Sequence, residues 1–187
     1  MRHLLTLTAL LLSIAHVTFA DALPYQLDSG QSKAECTYRF EDGPGRGVLP
    51  FTAAELNLDF DTLSKSKVTA TLSTKEIKSG IIFVTAKLRG PKMLDTGTHP
   101  TITFTSTSIT GRIPKAKVTG TLTIRGTTRP ITLDAELFRP KRTSPNDLSR
   151  LITLLKGTVN RNDFGISDFP DLVAPMVTLS ITEHIAR

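Results

Sequence analysis

From Lys33 to Phe40 apolar and polar side chains alternate, with Ala34, Cys36, Tyr38 and Phe40 on one side and Lys33, Glu35, Thr37 and Arg39 on the other. A period of two is the mark of a strand with one buried face. The glycines and proline at Gly43, Pro44, Gly45 and Gly47 predict a turn after it. Leu56, Leu58 and Phe60 then alternate with Glu55, Asn57, Asp59 and Asp61, which predicts a second strand with Asp59 and Asp61 on its solvated face. Lys67 to Ser73 repeats the device with Val68, Ala70 and Leu72 inward, and Thr101 to Thr107 does so with Ile102 and Phe104. In the stretch Thr121 to Leu137, Leu122 and Ile124 precede a turn around Arg125, Gly126 and Thr127. Ile131, Leu133, Ala135 and Leu137 follow in alternation, so a hairpin is predicted, with Pro130 at the start of its second strand. Leu151 to Val159 and Val177 to Ile185 supply two further strands, the last with Val177, Leu179 and Ile181 opposite Thr178, Ser180 and Thr182.

Ser79 to Leu94 does not alternate. Ile81, Ile82, Thr85 and Leu88 have helical spacing, and Gly90 with Pro91 would end the helix, although Ile81 to Val84 also reads as a short apolar strand. Arg139 to Asn146, polar and carrying Pro140 and Pro145, predicts a loop. About eight strands, one short helix and no alternation of strands with helices point to an all-β fold, either an antiparallel barrel or a sandwich.

The N-terminus has a different character. Arg2 precedes an apolar run from Leu4 to Val17, and small residues follow at Ala20 and Ala22, which predicts a secretory signal peptide over 1–22 cleaved after Ala20 or Ala22. The run is too short for a membrane span, and no later segment approaches one. Residues 23–187 are then one exported domain. The chain of 187 residues is 39% hydrophobic, which suits one medium core. Its single cysteine excludes an intrachain disulfide and a thiolate metal cage. Cys36, in phase with Tyr38 and Phe40, is expected to pack as a small hydrophobe. A net charge of +6 arises from scattered lysines and arginines, and clustered cations interleaved with aromatics are lacking, so nucleic acid is not the expected partner.

Catalytic chemistry finds little purchase. After the leader only His99 and His184 remain as histidines, one before Pro100 in a turn and the other near the C-terminus on an outward position. No nucleophile-elbow motif accompanies them, and the scattered carboxylates make a poor metal set. Asp163-Phe164-Gly165 matches a kinase tripeptide without the rest of the kinase signature, and is read as a tight turn that seats Phe164 on the core. No catalytic residue, metal or cofactor is expected.

Three segments are more specific: Met93 to Ile109 (MLDTGTHPTITFTSTSI), Val118 to Leu137 (VTGTLTIRGTTRPITLDAEL) and Gly157 to Ile166 (GTVNRNDFGI). In that order behind a signal peptide they resemble the YceI-like, polyisoprenoid-binding family, and YQLDSGQSKAECTYRF at Tyr25 to Phe40 is similar to its first strand. The resemblance implies a lipocalin-like antiparallel β-barrel that holds an isoprenoid chain, such as a quinone or polyprenyl tail, in its lumen. The inward set from alternation, almost free of charge, supplies the expected lining: Ala34, Cys36, Tyr38, Phe40, Leu56, Leu58, Phe60, Val68, Leu72, Phe104, Leu122, Ile124, Leu133 and Phe164. The expected function is non-catalytic binding, carriage or sequestration of such a lipid, with at most transient membrane contact. The alternative is a solid-cored interaction or envelope-stress module without ligand. The two differ in whether these side chains leave a void or fill it.

Overall fold

A computed structural model describes residues 22–40 and 43–187, so the predicted leader falls almost wholly outside the described residues. The described strands are β1 (Leu23–Leu27), β2 (Lys33–Phe40), β3 (Gly43–Leu49), β4 (Phe51–Leu58), β5 (Lys67–Ser73), β6 (Thr101–Arg112), β7 (Lys115–Ile124), β8 (Thr127–Phe138), β9 (Arg150–Asn160) and β10 (Val173–Ala186). One helix, α1 (Ile82–Arg89), stands between β5 and β6. Every pairing is antiparallel. The sheet runs β1-β4-β5-β6-β7-β8-β9-β10, and β1 pairs back onto β10 through Gln26 with Ala186 and Leu27 with Ile185. Eight strands thereby close a barrel and abolish its edges.

The β2–β3 hairpin extends the wall beyond this ring. The 14 residues of β10 make this possible, since the C-terminal part holds β1 while Val173 to Thr182 holds β2. The free side of β3 is tied to the β5–α1 connection by two backbone bonds between Val48 and Lys78, of 2.8 and 3.0 Å. The α1 end of the barrel collects α1, the Arg125-Gly126 turn and the segment 161–173. The far end collects the segment 59–66 and the 139–149 loop. Among the described residues no helix is long and apolar enough to cross a membrane.

Several sequence expectations change. Gly43 to Gly47 is not a turn but the start of β3, paired residue for residue with Phe40 to Cys36. Exposed Pro44 and Arg46 alternate with glycines, so the other face of the run carries no apolar side chain that would mark it as a strand. Asp59 is not solvated: it is buried and accepts backbone N–H groups of Asp61 (3.0 Å) and Thr62 (2.7 Å), which builds the corner after β4. Asp61 is exposed as expected. The strand from Thr101 continues to Arg112, because a bulge between Ser106 and Ser108 reverses the phase and turns Ile109 inward. Pro130 lies inside β8 opposite Thr121, before β8 meets β9 at Asp134. The hairpin turn is Arg125-Gly126, both at positive φ (50° and 73°), the two-residue geometry that suits strand twist. Helix α1 forms where expected, but its buried side is Leu88 with half-buried Val84 and Thr85. Ile82 and Phe83 are each 84% exposed, and Ile81 is exposed too.

Candidate functional site: an apolar lumen in two chambers

The inward side chains pack into a core that still leaves space among them. They enclose an upper chamber of about 160 Å³ toward the α1 end and a lower chamber of about 70 Å³ toward the far end. Ten of the predicted lining residues border the upper one: Ala34, Cys36, Tyr38, Val68, Leu72, Phe104, Leu122, Ile124, Leu133 and Phe164. Leu56, Leu58 and Phe60 border the lower one. Phe40 borders neither and instead packs edge-on against the Tyr38 ring, with centroids 5.2 Å apart.

The space survives because large rings lie along the wall. Tyr38 and Gly45 are direct cross-strand partners, and a Cβ on Gly45 would stand 2.2 Å from Tyr38 Cε2, so the ring occupies the room a side chain would need. Gly120 plays the same part for Phe104, whose ring would lie 2.6 Å from a Cβ there. A ring laid flat over a neighbouring glycine leaves the barrel axis free.

Sequence reasoning missed several lining residues. Phe51 points inward because the bulge between Phe51 and Ala53 shifts β4 out of the phase set by Leu56. Ile77, Leu88, Met93 and Leu94 come from irregular or helical chain that roofs the chamber. Leu155, Val159, Leu179 and Ile181 were legible from alternation in β9 and β10 but were not assigned to the lining.

Three charged residues border the upper chamber. Glu35 is ion-paired with Arg46 and with Lys33 at 3.4 Å. Arg161 is buried and spends its guanidinium on backbone carbonyls, donating to Ile166 (2.8 Å), Asp168 (2.7 Å), Val173 (2.8 Å) and Ala174 (3.3 Å). It thereby pins the 165–173 segment over the chamber, beside the 3-10 turn Arg161–Phe164 that buries Phe164 as the Asp163-Phe164-Gly165 reading predicted. Glu183 is the third, and its carboxyl has no partner among the described residues. Desolvation pushes its carboxyl up to about 7, the Cys36 thiol up to about 11 and the Tyr38 hydroxyl up to about 12. The Tyr38 hydroxyl is buried without a hydrogen bond. His99, in the loop before β6, and His184, near the end of β10, lie at opposite ends of the barrel and form no acid–base pair. Among the described residues no cluster of three or more His, Cys, Asp or Glu could hold a metal.

A closed eight-stranded barrel around an apolar chamber is the frame in which the comparisons fall. The YceI-like domain matches residues 25–184. The chain belongs to the YceI-like domain family. A UPF0312 protein of Pseudomonas paraeruginosa is 31% identical over 138 residues, covering 71% of this chain and 72% of the relative. Protein YceI of Escherichia coli O157:H7 is 30% identical over 138 residues, covering 72% and 70%. Among solved structures, Burkholderia cenocepacia BcnA superposes with a TM-score of 0.76 at 20% identity, over 87% of this chain and 100% of that one. A mutant of the Campylobacter jejuni YceI protein, solved with a monobromobimane guest structure, superposes with a TM-score of 0.62 at 19% identity, over 100% and 99%. At these identities the structural likeness speaks for the fold alone.

Proposed function

We propose that this protein binds a long-chain isoprenoid lipid, such as a quinone or polyprenyl tail, in its upper chamber and carries or sequesters it without catalysis. Export through the leader at 1–22 would place it in the periplasm. The observation that carries this reading is the chamber, closed by continuous strand pairing and bordered almost entirely by apolar side chains. Its size compares with the ~150 Å³ apolar cavity that stays dry and takes up benzene. It offers room for the leading units of a chain. A longer tail requires the walls to part, and Leu88, Met93 and Leu94 are the side chains that roof the way out.

Each buried methylene is worth about 0.8 kcal/mol, so a five-carbon unit gains roughly 3 to 4 kcal/mol before ordering costs. Such binding needs no directed contacts, in keeping with a lining rather than a constellation of site residues. The polar groups at the chamber wall support the non-catalytic reading: Arg161 is committed to carbonyls, and the two histidines are far from each other. A filled core would have favoured the ligand-free interaction module, and the chamber speaks against it.

The test is native mass spectrometry of protein purified from cells, followed by extraction of the retained mass. With no tryptophan in the chain, binding of a short-tailed quinone is best followed by displacement of an environment-sensitive fluorescent probe. A retained hydrophobic mass and saturable displacement are expected. An empty protein that also ignores the quinone overturns the proposal.

A further inference from the structure

Glu183 stands where the chambers meet: among the described residues only it, Val68 and Leu155 border both. Its place on β10 is in phase with Val177, Leu179, Ile181 and Ile185, which also border the lumen, so its carboxyl hangs into the barrel among hydrocarbon. The residue is only 8% exposed, and among the described residues its carboxyl has no hydrogen-bond or ion-pair partner. The charged residues of neighbouring β2 do not compensate it: Glu35 is held by Arg46 and Lys33. Its cross-strand neighbour on β9 is Thr153, which is uncharged. An unpaired buried carboxyl is worse for folding than any apolar group of its size, so its presence between two apolar chambers calls for a role in binding.

We infer that Glu183 sets the length of hydrocarbon this barrel accepts, ending the chain at the waist between the chambers. The inference rests on the lipid-carrier reading. A tail filling the upper chamber gains with each methylene until it reaches the carboxyl. Beyond that point it must crowd a group that offers hydrogen bonds and receives none, so further methylenes add nothing. With an apolar side chain in that place, the upper and lower chambers join into one continuous hydrocarbon path.

The experiment titrates full-length mature protein, E183Q and E183L with n-alkyl glucosides of rising chain length below their micelle concentrations, by calorimetry. The sugar cannot enter the lumen, so the chain end probes depth. For wild type and E183Q, affinity should rise about fourfold per methylene and then level off at one length, while E183L continues to climb beyond it. The same levelling length in E183L, or no levelling in wild type, overturns the inference and leaves the carrier reading intact. Wild type that binds no glucoside of any length overturns both. Thermal melts check that E183L is folded; should it fail, Glu183→Ala, which removes the carboxyl without added bulk, takes its place under the same outcomes.

A second inference rests on a different observation. Ile81, Ile82 and Phe83 form the most exposed apolar step among the described residues, and α1 turns its other face, through Leu88, onto the upper chamber. Around this step in the sequence stand five exposed cations, Lys75, Lys78, Lys87, Arg89 and Lys92, the last ion-paired with Asp168 at 3.7 Å, against one carboxylate within 75–92, Glu76. Leu172 and Met176, also exposed, lie on the strand and loop at the same end. Apolar side chains ringed by cations match an anionic bilayer, whose headgroups meet the lysines while its acyl region takes the tip. The geometry points to docking of the α1 end on an anionic phospholipid surface, which would bring the roof of the chamber to the lipid.

Co-sedimentation with phosphatidylglycerol vesicles, with phosphatidylcholine vesicles as control, tests it. Binding to the anionic vesicles is expected, weakened by salt and at least tenfold weaker for the double variant I82S/F83S, whose exposed positions leave the fold intact. Equal binding by that variant, no binding by wild type, or a dimer in solution that the variant abolishes would overturn the proposal.

Discussion

Tyr38 and Gly45 face each other across β2 and β3, and the tyrosine ring occupies the space a side chain at position 45 would take. The pair is a structural reason the lumen has volume at all: the ring leans sideways over β3 and leaves the axis open.

Gly45→Ala should therefore fold, since the clash is with the far end of a side chain that can swing. The ring would swing into the lumen. Affinity for a hydrocarbon ligand should drop about tenfold, the equivalent of between one and two methylenes of chain left in water. Probe displacement measures this, and unchanged affinity with a folded variant would show that the ring does not border the ligand.

Glu183 makes stability depend on pH in a defined direction. Its carboxyl titrates near 4.5 when exposed and at about 7 in the folded protein. Below 4.5 both states hold the proton. Between 4.5 and 7 the unfolded chain releases it first, so stability should fall as pH rises through this window, by about 3 kcal/mol in all, and change no further above it from this group. Chemical denaturation across the window checks the slope, which should vanish in Glu183→Gln.

Arg161 ties together Ile166, Asp168, Val173 and Ala174 through their carbonyls. Arg161→Met should lose about 3 kcal/mol, since several buried carbonyls lose their donor at once, and lower Tm by roughly 6 to 12 °C. Arg161→Lys should recover little of it, because a point charge cannot serve carbonyls spread around a planar fork. A melt of the lysine variant matching wild type would refute this account.

Desolvation that lifts Cys36 from 9.0 to about 11 leaves about a hundredfold less thiolate at neutral pH than an ordinary exposed thiol has. Reaction with a disulfide reagent should be slower by at least that factor, and slower still with the lumen occupied, because Cys36 borders the upper chamber. A rate like that of a free thiol would place the sulfur elsewhere.

Period-two alternation told which side of each strand a residue occupies, because strand geometry allows nothing else. Cys36, Tyr38, Leu122 and Leu133 were identified on this ground alone; the hairpin was read from alternation together with its turn residues, and the short helix from helical spacing where alternation stops. Where alternation fails, the prediction failed with it. The Gly43 to Gly47 strand has glycine at every other position, alternating with Pro44 and Arg46, so no apolar side chain marks its face, and the bulges in β4 and β6 reverse the phase, so Phe51 and Ile109 escaped. Asp59 is buried because two backbone donors satisfy it at a corner, a local bond that a polarity pattern cannot register.

What the sequence determined by itself is therefore local: which residues point inward, where the chain turns, and the motifs that resemble the YceI-like family. Whether inward meant filled or hollow depended on contacts between residues far apart in the chain. The pairing of Gln26 with Ala186 closes the wall, and rings on β2 and β6 recline on glycines of neighbouring strands. The same distance in sequence hid Glu183, whose inward phase was readable but whose burial between two chambers exists only once the barrel is shut.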